Sequence, residues 1–130
     1  FPAYDPTMAI PAEDYAAIIA SEASQFSLRR NDRDGQRRQL RERIAQNQEQ
    51  IGANEAQLVA KSAELDLVSK ELVDVRELFA KNLVPAGRVT ELERSQVQLS
   101  GAEGALRSQI AAGRGAIAEL EQMILQVDLN

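Results

Sequence analysis

The chain has 130 residues with a formal net charge of −5, 27% charged and only 4% aromatic residues, and no Trp, Cys or His. This excludes a disulfide framework, thiolate or imidazole metal ligation and His- or Cys-based catalysis, and the acidic balance argues against nucleic acid as a partner. So few aromatics among so many charges are poor material for a globular core but normal for a long coiled coil.

The chain starts at Phe1 rather than Met, which reads as an excised fragment or processed product. Residues 1–11 carry Pro2, Pro6 and Pro11 together with Tyr4, Met8 and Ile10. This composition predicts an extended leader, because proline lacks the N–H that a helix interior needs. Pro11-Ala12-Glu13-Asp14 then places proline and two acids where a helix start favours them. Tyr15, Ile18, Ile19 and Phe26 make a short amphipathic face, so an additional N-terminal helical segment is expected over residues 12–34.

Residues 29–43 hold seven arginines against three acids in an otherwise acidic chain. This basic run reads as a solvated helix face with local Arg–acid pairs rather than a surface for nucleic acid or anionic lipid. Within it, Asn31-Asp32-Arg33-Asp34-Gly35 is the weakest helix-forming stretch before the turn. Two readings stand: a break with Asp32 or Asp34 capping a new helix, or one continuous helix.

Residues 35–84 form the first long arm, 85–87 a tip turn and 88–130 the second arm. Ile44, Ile51, Leu58, Leu65, Leu72 and Phe79 recur every seventh residue, with Asn47, Asn54, Lys61, Val68 and Val75 between them. After Pro85 and Gly87 the same alternation resumes as Val89, Leu92, Gln96, Leu99, Glu103, Leu106, Ile110, Gly113, Ile117, Leu120, Ile124 and Val127. A heptad seam this long predicts a coiled coil, and a connection this short makes the arms antiparallel neighbours. Centring the turn on Pro85–Gly87 pairs Phe79 with Leu92, Leu72 with Leu99, Leu58 with Gly113 and Ile44 with Val127. The fold class expected is all-α: a long antiparallel two-helix coiled-coil hairpin, about 60 Å long at 1.5 Å per residue. No apolar run approaches the ~18 residues that a membrane span requires, so this stretch is not expected to insert into a membrane.

Catalytic chemistry finds no footing. No serine stands in a nucleophile-elbow context, the carboxylates are spread along exposed faces, and neither a cofactor nor a metal site is expected.

Leu78-Phe79-Ala80-Lys81-Asn82-Leu83-Val84-Pro85 followed by Arg88-Val89-Thr90-Glu91-Leu92-Glu93-Arg94 resembles the hairpin tip of HlyD-type membrane fusion proteins. These are the periplasmic adaptors of type I secretion systems, and the likeness is to the branch exporting proteases, lipases and haem-acquisition proteins. It also covers Leu40–Ile44 and Ala118–Gln126. The resemblance implies a periplasmic hairpin of an adaptor anchored in the inner membrane. It further implies a homohexamer that links an ABC transporter to a TolC-like outer-membrane channel. Such adaptors engage the channel through an RLxxL-like tip motif. Here Arg88 matches the arginine, Val89 stands where the motif has leucine, and Leu92 matches its later leucine, with Leu83 beside them on the turn. Partner binding is therefore expected at Leu83, Arg88, Val89 and Leu92. The alternative from another class is a structural coiled-coil spacer or oligomerisation domain unrelated to secretion.

Overall fold

The computed structural model describes residues 11–129. The expected leader at 1–11 lies, apart from Pro11, outside the described residues. Two helices make up the fold: α1 (Ala12–Ala80) and α2 (Ala86–Leu129). They pack on each other as an antiparallel hairpin with no strand among the described residues. At 1.5 Å per residue α2 spans about 66 Å and α1 just over 100 Å.

Helix α1 opens directly after Pro11, whose carbonyl accepts the Tyr15 N–H at 2.9 Å. Glu13 and Asp14 occupy the first turn, where the helix dipole favours acids. The helix then runs through Asn31–Gly35 without interruption, so of the two readings the continuous helix holds and the 34/35 boundary marks no break. The reason is phase. Arg33 and Arg37 are half-buried at positions that continue the three-four alternation of Leu40, Ile44 and Asn47 backwards, so no stutter separates the two parts. Arg37 also ties this stretch locally to Asp34 at 3.3 Å. Propensity penalties below about 1 kcal/mol per residue do not outweigh a seam that stays in phase.

Burial follows the heptads on both arms. Leu72, Val75, Leu92, Leu106, Ile110 and Leu120 are the buried apolar residues, and Asn54 and Glu103 are buried with them. The other seam positions except Phe79 are half-buried, as expected where only one narrow stripe of each helix is covered.

The register differs from the one expected, by one heptad. Leu72 and Val75 form a cluster with Leu92, against which Val89 packs. Ile51, rather than Leu58, stands against Gly113: a Cβ built on that glycine would lie 2.8 Å from Ile51 Cγ1. Three cross-arm polar contacts agree: Gln96 donates to Ser69 at 3.1 Å, Arg37 Nε faces the Asp128 carboxylate as an ion pair, and Arg88 pairs with Glu71. A seven-residue slip leaves every seam position on the seam, so the apolar pattern alone does not discriminate. Two physical features do. The turn is centred three residues earlier than expected, and the polar seam residues are better matched. Glu103 now stands level with Lys61, whereas the expected register set Lys61 against Ile110 and Glu103 against Val68. Arg107 further bridges the Glu103 carboxylate at 3.0 Å.

Because Asp128 meets Arg37, the first 25 or so residues of α1 extend past the end of α2, roughly 35–40 Å of single helix. Every described residue up to Asp32 is exposed.

Candidate functional site

The tip is where sequence and geometry concentrate. Helix α1 ends in a left-handed cap at Asn82, whose φ is 58°. The Leu83 N–H donates to Leu78 O at 2.9 Å and the Asn82 N–H to Phe79 O at 2.9 Å, the paired bonds of a Schellman motif. Asn tolerates this conformation better than other non-glycine residues. Pro85 then precedes α2, its carbonyl accepting the Arg88 N–H at 3.1 Å. Proline suits this place because the first helical N–H groups have no intrahelical acceptor. The turn therefore occupies residues 81–85, not 85–87, and Gly87 lies inside α2 without a positive φ.

This capping decides which side chains reach outward. Leu83 is 67% exposed at the apex. Phe79, expected in the seam against Leu92, is 43% exposed, and Leu78 is exposed beside it. With Leu92 taken by Leu72 one heptad back, nothing on α2 is left opposite Phe79. The result is an apolar cluster of Leu78, Phe79 and Leu83 at the far end of the rod.

The four residues expected to bind a partner fall into two groups. Leu83 stands free at the apex, and the Arg88 side chain is 40% exposed. Val89 is partly buried against the Leu72–Val75–Leu92 cluster, and Leu92 is only 5% exposed within it. Arg88 does not project freely. Its guanidinium is held by the Glu71 carboxylate across the arms and by Glu91 at 3.4 Å on its own helix. Leu78 and Phe79 are the exposed tip residues that the heptad reading missed. The Asn82-Leu83 pair following Leu78-Phe79 carried the signal, since a Schellman cap places its second residue beside the third residue from the helix end.

Among the described residues no group of three acids stands where it could hold a metal ion, and no helix is long and apolar enough to cross a membrane.

The family described as AprE, long alpha-helical hairpin, matches residues 1–130. The chain belongs to this family. The AprE-type hairpin is the long helical hairpin of type I secretion membrane fusion proteins, and the two-helix coiled coil with its sharp tip is that element. It is an adaptor family rather than an enzyme family. Membership removes the reading of a spacer unrelated to secretion. No curated protein and no solved structure gives a match.

Proposed function

We propose that this hairpin stands in the periplasm as the reach of a type I secretion adaptor, and that its tip docks on a TolC-like outer-membrane channel. In the full-length protein, anchored in the inner membrane, it links an ABC transporter to that channel as a homohexamer. The observation that carries this reading is the apolar cluster Leu78, Phe79 and Leu83, presented at the end of a stiff rod about 66 Å long. Exposed apolar side chains at the apex of a rod serve no intrachain packing, and a protein partner is what such patches mark.

Within the proposed site the roles divide by burial. Leu83 and the exposed edge of Phe79 would make direct contact. Arg88 would add directional hydrogen bonds to partner carbonyls or carboxylates once it exchanges Glu91 or Glu71 for them. Val89 and Leu92 act from beneath, holding α2 against α1 so that the apex keeps its shape.

The test is secretion and channel capture by the full-length adaptor carrying Leu83→Asp. Leu83 is exposed, so the variant should fold normally while capture of the channel and secretion fall at least tenfold. Full secretion by a stably expressed Leu83→Asp adaptor would remove the apex from the docking surface.

A further inference from the structure

We infer that neighbouring copies of this hairpin pack side by side through unlike faces, with Leu67 of one copy seated in the groove of the next between Leu65, Ser69, Gln96, Val97 and Ser100. This rests on the homo-oligomer proposed above and specifies which surfaces meet.

The two broad sides of the hairpin can be told apart by the ion pairs that cross between its arms. One side carries Glu71–Arg88. The other carries Arg76–Glu93 and Glu55–Arg114. Leu67 lies one helical turn from Glu71 and so belongs to the first side, where it is 67% exposed. Val59 lies one turn from Glu55, Val73 just under one turn from Arg76, and Val97 one turn from Glu93. All three therefore belong to the second side, where they are 71%, 55% and 71% exposed respectively. None of these four residues contributes to the seam.

The second side also holds a groove of about 380 Å³ lined by Leu65, Ser69, Gln96, Val97 and Ser100, none of them charged. It is open because serine occupies positions 69 and 100 at the edge of the seam, where the flanking ion pairs use Arg and Glu. Leu67 falls between Leu65 and Ser69 in sequence. The projecting leucine and the groove therefore share one height along the rod but face opposite ways. Copies that stand parallel at the same height, as adaptors rooted in one membrane must, bring the two into contact without any axial shift. Contact between unlike faces repeats by rotation and closes into a ring when the rotation divides a full turn. Gly104, about two turns beyond Val97 on the same side, has nothing within 4 Å of a built Cβ, which leaves room for a neighbouring helix to approach.

These 130 residues hold no cysteine, so a thiol introduced at a chosen position is the hairpin's own, and any cysteine elsewhere in the full-length adaptor is replaced by serine before the test. In the full-length adaptor, Leu67→Cys with Val97→Cys should give a ladder of covalent multimers on mild oxidation, whereas either single cysteine should give no cross-link. Dimers from a single Leu67→Cys variant would mean that like faces meet and would overturn the inference. So would the absence of cross-links from the double variant when sedimentation still shows an oligomer; in that case the oligomer survives and only the interface is wrong. A monomeric wild-type adaptor would instead defeat the homo-oligomer reading itself. Leu67→Asp supplies a second arm. It should leave the helicity of the 130-residue chain unchanged while shifting the full-length adaptor to monomer in sedimentation, and an unaltered oligomer would again overturn the inference.

Discussion

The register of the two arms can be measured by a double-mutant cycle on Leu72. Leu72 is 1% exposed and Leu92 is 5% exposed in the same cluster. Truncating either to alanine removes buried methylenes and leaves a space that a two-helix seam can partly collapse, so each should cost about 2–3 kcal/mol, the lower part of the range for buried Leu→Ala. Because the two side chains share a cavity, the double variant should lose less than the sum, with a coupling of about 0.5–1.5 kcal/mol. Leu99, the partner in the alternative register, lies one heptad away from Leu92, about 10 Å along the helix. Leu72→Ala and Leu99→Ala should therefore add to within about 0.5 kcal/mol. Urea unfolding of the 130-residue chain followed by far-UV circular dichroism reads all five variants and the wild type. Coupling of Leu72 to Leu99 with none to Leu92 would refute the register and every polar match derived from it.

Three further outcomes follow from the same geometry. Arg88→Asp removes one cross-arm ion pair at a half-exposed site and sets an acid beside Glu71 and Glu91; it should lower stability by about 1 kcal/mol or less, an effect that shrinks at high salt and is read from urea midpoints at two ionic strengths. Asn82→Val forces a β-branched residue into the left-handed region at φ 58° and should cost about 1–2 kcal/mol, whereas Asn82→Gly should be neutral or slightly stabilising in the same assay. Phe26→Asp should leave the melting temperature of this chain within about 1 °C of wild type, because Phe26 is 64% exposed on the part of α1 that α2 does not reach; a large loss would show that this part is packed after all.

Much of this molecule was legible as a repeat. The alternation from Ile44 to Val75 and from Val89 to Val127 names the residues that are buried or half-buried, because a narrow coiled-coil stripe leaves a seven-residue pattern little freedom. The same periodicity hid the register. Moving one arm by a heptad exchanges Leu99 for Leu92 opposite Leu72 and leaves the apolar pattern intact. Only the position of the turn and the polar seam residues, Gln96 toward Ser69 and Glu103 level with Lys61, break that degeneracy. The turn itself was misplaced because Pro85 and Gly87 read as its centre. In fact Asn82 supplies the left-handed residue, Pro85 precedes α2, and Gly87 is helical. That shift took Phe79 out of the seam and put it on the tip. It also separated Leu83 and Arg88, which can reach a partner, from Val89 and Leu92, which support them. The stretch Asn31–Gly35 was undecided for a different reason: local propensity pointed to a break, whereas the seam phase on its two sides required none.

Docking of the apex on an outer-membrane channel is tested most directly by site-specific photocross-linking from the full-length adaptor in its own cell envelope. A photoreactive side chain at Leu83 or Phe79 should capture the channel during active secretion, while the same group at Tyr15, exposed at the opposite end of the rod, should not. Capture of the channel from Tyr15 but not from Leu83 or Phe79, in adaptors that still secrete, would contradict the account.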